Sequence, residues 1–449
     1  MTREGCTFVI VTQVYPPDPA AAGRHLADVA EELARRGHRV RVFTANRGYE
    51  DPREKYPRRE TLQGVEVHRL RFSSFGKSSI PVRLLGGASF VFQATLRAAL
   101  VRGVDAVLVS TSPPIAPLAG IAIGRLHRAA IKYWVMDVNP DQMVALGKAA
   151  PRALPVRAFD WLNRLILRNA SDVIVLDRFM AERMRGKGEA PGKISVLPPW
   201  SPSLEPAPHA RNPFRTRHSL EGKFVLMYSG NHGPSNPLTT IIEAARRMTD
   251  DSRFVFLVVG GGVSKREVDQ AASPNIVSIP YQPETELMYS LTAADVHVVS
   301  VGDRMPGIVH PSKVYAAMAA GRPILLLGPA DNHVADILAD HDIGWHIRHG
   351  DVDGAERLLR ALVASSTADL EKKGRTAQEL MRATGGPEAA CSRVCDVIQA
   401  GIQQPLRGRE EARQRGAGVK KKYLLWRFRS PHLCTDSAVS SLYSIVFDK

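Results

Sequence analysis

From residue 7 onward the chain alternates two apolar patterns. Short runs of consecutive, mostly β-branched residues read as buried parallel strands, and longer stretches with apolar positions three and four apart read as amphipathic helices. Residues 8–12, Phe-Val-Ile-Val-Thr, form the first run, and a proline-containing loop at 15–19 follows. The periodicity then predicts a helix over 24–36, with Leu26, Val29, Ala30 and Leu33 on one face and charges on the other. Gly37-His38 ends it with C-cap chemistry, and a second strand is expected at 39–44. Strand, loop, helix, strand is the unit of a parallel sheet. Further strands are expected at 65–70, 106–110, 131–136 and 173–176.

The rhythm breaks at about 198–222, where Pro-Pro-Trp-Ser-Pro-Ser-Leu-Glu-Pro-Ala-Pro reads as a proline-rich linker. It then restarts, with strands at 224–229, 254–259, 276–279, 296–299 and 323–327 and helices at 238–248 and 312–320. The pattern therefore predicts an α/β chain. Its expected parts are a first domain over 1–200, a linker at 201–222, a second domain over 223–385, a C-terminal helix at 386–402 and a basic tail at 403–449. Two such units joined by a hinge imply a cleft, and ligands of these sheets bind beyond the carboxyl ends of the strands.

Charge changes this picture by its distribution. Of the net +15, residues 1–200 carry +12, residues 201–399 carry −3 and residues 400–449 carry +6. A basic first half and tail point to phosphates on a membrane surface, a lipid carrier or a nucleic acid, or to plain solubility. No recognisable nucleic-acid module accompanies the charge, so nucleic acid is not an expected partner. The most apolar stretch, 104–124, holds Asp105 and Ser-Thr-Ser-Pro-Pro at 110–114, unlike a membrane span. The N-terminus reads without a signal-peptide core, so a cytoplasmic location is expected. Peripheral contact with the inner face of an anionic membrane has two candidate carriers. One is segment 72–101, apolar with Lys77, Arg83 and Arg97 and no acids; its other reading is a buried helix with a solvated face. The second is the tail, which reads equally as a dispensable appendage. Cys6, Cys391, Cys395 and Cys434 complete no zinc site and read as reduced structural thiols.

Three segments carry candidate chemistry. The first, 15–25, is Tyr-Pro-Pro-Asp-Pro-Ala-Ala-Ala-Gly-Arg-His, whose small residues let backbone approach a ligand ahead of a helix. The second, 228–233, is Tyr-Ser-Gly-Asn-His-Gly, a strand running into a glycine-flanked loop where a phosphate fits. The third, 306–315, is Pro-Gly-Ile-Val-His-Pro-Ser-Lys-Val-Tyr, followed by Ala-Ala-Met-Ala-Ala-Gly-Arg-Pro-Ile. It puts Lys313 in the opening turn of a helix, where the dipole disfavours a cation, so an anionic ligand would explain it. Asp137, at a strand end facing the cleft, reads as an acceptor-orienting group or base, or as a helix cap; His25 and His310 read as site residues or solvated loop histidines.

Together these segments, with Leu-Ala-Arg-Arg-Gly-His-Arg-Val after the first and Asp-Val-Asn-Pro-Asp at 137–141, resemble the family-4 retaining glycosyltransferases over residues 7–400. The resemblance is to the exopolysaccharide, colanic-acid and O-antigen branch, and implies the GT-B fold of two Rossmann-like domains facing across a cleft. It implies a nucleotide-diphospho-sugar donor, a polyprenyl-diphosphate-linked or oligosaccharide acceptor, retention at the anomeric carbon, and neither cofactor nor metal. Carried onto this chain, it places Ala22, Gly23 and His25 at the acceptor side of the cleft, and Gly230, Asn231 and Gly233 at the donor diphosphate. Gly261 and Gly262 lie beneath the nucleotide, Tyr281 and Gln282 hold the base, and Gly307, Ile308 and Val309 contact the sugar and phosphates. Ser312 and Lys313 meet the diphosphate, with Asp137, His310 and Lys313 as the catalytic set. Two departures stand out. Ala316 occupies the place of a ribose-binding Glu, and Pro-Ser-Asn-Pro at 234–237 lacks the usual Arg and Lys, leaving Lys313, Lys265 or Arg304 to compensate. A nucleotide-sugar epimerase on the same fold, or a non-catalytic nucleotide-sugar-binding scaffold of a polysaccharide-assembly complex, are the alternative readings.

Overall fold

The apolar runs build two sheets. A computed structural model describes residues 5–18, 20–48, 53–73, 80–188, 191–201, 212–271 and 273–402. The basic tail, with Cys434, and positions 202–211 of the proline-rich linker lie outside the described residues.

The first half runs β1 (Thr7–Val11), α1 (Ala21–Arg35), β2 (Arg39–Ala45), β3 (Arg59–Leu62), β4 (Val65–Leu70), α2 (Ile80–Ala99) and β5 (Ala106–Ser110). It continues through α3 (Ala116–His127), β6 (Ala130–Trp134), α4 (Asp141–Ala145), α5 (Leu154–Asn169), β7 (Asp172–Val175), α6 (Arg178–Gly186) and β8 (Ile194–Val196). The second half opens with α7 (Pro213–Arg217), β9 (Phe224–Ser229), α8 (Thr239–Arg246), β10 (Phe254–Val259), α9 (Lys265–Gln270), β11 (Ile276–Ile279) and α10 (Glu284–Thr292). Then come β12 (Val296–Ser300), α11 (Lys313–Ala319), β13 (Ile324–Leu327), α12 (His333–Asp340), β14 (Gly344–Ile347), α13 (Val352–Ala364), α14 (Thr367–Ala383) and α15 (Gly386–Gln399).

The first sheet is ordered β3-β4-β2-β1-β5-β6-β7-β8 and the second β11-β10-β9-β12-β13-β14. Every pairing is parallel except β3 with β4. The second order is that of a dinucleotide-binding sheet, and the first repeats it with additions at both edges. Each order reverses once, between β1 and β5 and between β9 and β12, and at those switch points loops diverge and leave a crevice. Continuous burial fits the parallel arrangement: β1, β5, β10, β12 and β13 are buried at every position.

Some elements escaped the periodicity. β3 is Arg-Glu-Thr-Leu, too polar to stand out, and is set by a two-residue turn in which Gln63 and Gly64 both adopt positive φ. β6 ends at Trp134, short of the expected 136, because the chain turns there toward the second sheet.

α15 returns to the first domain. Its Cys391, Val394, Cys395 and Ile398 enter the core of the first sheet, and Arg36 binds Asp396 (2.7 Å) and Ser392 Oγ (2.6 Å). Cys6, Cys391 and Cys395 are buried and in no disulfide among the described residues. Lys132, on β6 and buried, holds the end of α15: its ammonium donates to Asp172 (2.5 Å) and to the Ala400 carbonyl (2.6 Å). Lys132→Met keeps the side-chain length but removes those bonds. It is expected to cost about 2 kcal/mol by urea denaturation, with amide exchange rising first in α15; unchanged exchange there would show the ammonium is not what anchors it.

Candidate functional site

The second-sheet half of the crevice is built from the loops after β9, β10 and β12. Gly230, just past β9, has φ +127° and lies against Lys313: a Cβ here would come within 2.6 Å of the lysine Cε. The positive φ favours glycine here, and the missing side chain lets the lysine stem lie against the backbone. Lys313 is half-buried, its Nζ 5.2 Å from the Tyr228 ring centroid. Among the described residues no carboxylate pairs with it, and burial pushes its pKa down to about 8. The loop is held by Tyr228, whose hydroxyl donates to the Asn231 carbonyl (2.7 Å), and by His232 N–H bonding Gly261 O (2.8 Å). Gly262 packs against His232 and Asn231, and Gly233 follows at the loop's end. The Tyr281 ring, exposed, lies over Gly260 and Gly261 with its hydroxyl on Gly261 O (3.3 Å), and Gln282 is exposed beside it.

The segment after β12 crosses to the first domain. Gly307, at φ +69°, lies on the Phe179 carbonyl, where a Cβ would meet it at 2.6 Å. Ile308 is buried in the first domain's core, and its carbonyl accepts from Val138 N–H (2.9 Å). Val309 forms a one-residue antiparallel bridge with Asp137 and packs against the cores of both domains. His310 is held from both sides: Nδ1–H donates to Asp177 (2.7 Å) and Nε2 accepts from the Tyr315 hydroxyl (2.9 Å). That hydroxyl accepts in turn from His333 Nε2–H (2.7 Å). Burial, with His310 nearby, pushes His333 down to about 4. Asp177 caps α6 through Met180 N–H (2.7 Å); burial raises its pKa, but the bond from His310 outweighs that and holds the carboxyl below its ordinary value. The His310 side chain is 1% exposed, so the structure places it inside this interdomain chain of bonds.

The first-sheet half comes from the loops after β1, β5 and β6. Gly23, in the first turn of α1, packs under the Val14–Tyr15 backbone, and Ala22 beside it is half-buried. The Tyr15 loop is tied by the buried Arg69, which donates to Pro16 O (2.6 Å) and Pro57 O (3.1 Å) and pairs with Glu60. His25 meets Trp200 edge-on at 4.8 Å, its Nδ1 is buried without a partner among the described residues, and burial holds its pKa near 4. Asp137 follows β6 with its backbone N–H on Thr111 Oγ1 (3.2 Å). Its side chain is exposed to water although protein crowds it, and that crowding pushes the carboxyl up to about 6.

Loop 305–310 thus brings Asp137, Val309 and His310 together, and Gly230 brings the 228–233 loop to Lys313. Ser312 is exposed ahead of α11 and makes no side-chain cap bond. Lys265 is committed to Asp269 (3.0 Å) and Ser278. Asp177, His333 and Tyr315 carry no local signal in the sequence beyond a helix-capping Asp and ordinary helix positions. His232 is likewise silent in sequence; it is 1% exposed, with both ring nitrogens buried without hydrogen-bond partners among the described residues.

With that geometry in place, the glycosyl transferase 4-like domain family matches residues 20–200. The probable glycosyltransferase WbjE of Pseudomonas aeruginosa is 27% identical over 284 residues, covering 60% of this chain and 69% of that protein. The putative colanic acid biosynthesis glycosyl transferase WcaI of Escherichia coli K12 is 27% identical over 330 residues, covering 68% and 79%. Among solved structures, Anabaena HepE in complex with UDP-glucose superposes with a TM-score of 0.64 at 14% identity, covering 88% of this chain and 99% of that one. Residues 20–200 thus carry the likeness to a glycosyl transferase 4-like domain, and the fold shared with HepE, two sheets facing across a crevice, is a GT-B frame.

Proposed function

We propose that this protein transfers a sugar from a nucleotide-diphospho-sugar to a lipid-linked or saccharide acceptor, with retention, in cell-surface polysaccharide assembly. The observation that carries this is Lys313, an ammonium without a carboxylate partner, folded under Gly230 at the second sheet's switch point. A diphosphate beside it is stabilised as it leaves, where charge develops most. HepE, of the same fold, binds UDP-glucose, and WcaI is a putative colanic acid enzyme. Asp137, raised to about 6, suits a group that orients or deprotonates an acceptor hydroxyl near neutral pH. No protein nucleophile is invoked; closure of the crevice brings acceptor and donor onto one face.

Calorimetric titration with UDP-, GDP- and dTDP-sugars tests the reading. One donor is expected to bind with a Kd in the micromolar range and to be turned over with retained anomeric configuration by NMR. No binding by any of them would refute it, and inversion would remove retention.

A further inference from the structure

Of the fourteen exposed large apolar side chains among the described residues, eight lie on three neighbouring helices of the first domain and a ninth, Leu100, directly follows one of them. On α2 they recur every fourth position: Leu84, Phe92, Leu96 and, at its end, Leu100 are 48%, 65%, 53% and 83% exposed, with Ala88 completing the stripe. The opposite face, Phe90, Ala94 and Ala98, is buried. α3, packed on α2, shows Leu118 and Leu126; α5, packed on α3, shows Leu154 (77%) and Trp161 (62%). α2 and α3 contain no acid, and the one acid of α5, Asp160, is bonded to Lys187 (2.6 Å). Arg97, Arg157, Arg164 and Arg168 stand on these helices with no carboxylate partner among the described residues. No described helix is long and apolar enough to cross a membrane.

We propose that the outer face of α2, α3 and α5 docks this protein onto an anionic lipid surface, its apolar side chains entering the interface while the arginines meet headgroup phosphates. An apolar face without acids and with unpaired arginines complements that surface in both respects. α2 follows β4 and α3 follows β5, so the first turn of α3, with Leu118, lies at the end of the sheet where the crevice loops leave, and Leu154 opens α5 after the β6 loop and α4. A docked protein would therefore hold the acceptor side of the crevice against the lipid.

The test is co-sedimentation of the full chain with phosphatidylglycerol/phosphatidylcholine vesicles and with phosphatidylcholine alone, in low and high salt. The wild type is expected to bind the anionic vesicles, and salt to weaken it. The triple variant Phe92→Glu/Leu96→Glu/Trp161→Glu should lower partitioning roughly tenfold or more, and Arg157→Glu/Arg164→Glu should remove the preference for anionic lipid. Both change exposed positions, and matching thermal melts exclude misfolding. Wild-type partitioning in both variants would overturn the proposal, as would no vesicle binding by the wild type. So would self-association through this face that vesicles do not dissolve. The assay holds no donor or acceptor, so its failure would leave the transfer reading standing.

Discussion

Lys313→Met is expected to lower kcat/KM roughly 100- to 1,000-fold with the donor that binds the wild type, the cost of removing one charge-stabilising group from a preorganised site. The substitution keeps the side chain's length beneath Gly230 while deleting the cation. Its stability should move the other way. Burial depresses the lysine's pKa to about 8, so its charge is disfavoured in the folded state relative to the unfolded chain. Losing that charge should leave the melting temperature unchanged or raised. The pH dependence carries the same signature: wild-type donor affinity should fall as pH rises through about 8, where the ammonium deprotonates, and the variant should lack that step. Calorimetry across pH 6 to 9 reads both. Donor affinity within threefold of wild type would remove Lys313 from the site.

Asp177→Asn is expected to lower stability by about 3 kcal/mol at pH 7, the cost of leaving a buried hydrogen-bonded group without its charged partner. Asparagine caps a helix as well as aspartate does, so the bond to Met180 N–H survives and the loss isolates the charge facing His310. The sign with pH follows from the direction of the shift. Asp177 has its folded pKa below its unfolded value near 4, so its contribution is present above pH 4 and is lost as pH falls toward the folded value. Wild type and variant should therefore converge below about pH 4. Between about pH 6.5 and 4 both should weaken, because His25, His297 and His333 are held near 4 by burial and take up protons only on unfolding. Asp137, raised to about 6, opposes one of these. Guanidinium melts at pH 7, 5 and 3.5 measure the series, and equal stability at pH 7 would show that Asp177 merely caps α6.

Much of this architecture was legible because parallel sheets write themselves into sequence. Runs such as Phe-Val-Phe-Leu-Val-Val at Phe254–Val259 are buried on both faces and need no partner to be recognised. The glycine loops were visible too, since the residues that allow close approach are also those that punctuate the pattern. Polar edges were not: β3 is seen only once its turn pairs it with β4.

The sequence by itself determined the two α/β units, their order, the candidate loops and the oddity of a lysine opening a helix. These are local properties, carried by periodicity and by residue type. Only the tertiary structure decided that loop 305–310 crosses between domains, that Ile308 lies in the first core, and that His310 is locked between Asp177 and Tyr315. It alone lined up the exposed faces of α2, α3 and α5. Asp177 and His310 are 133 positions apart, and no periodicity links residues that meet only when two sheets are brought together.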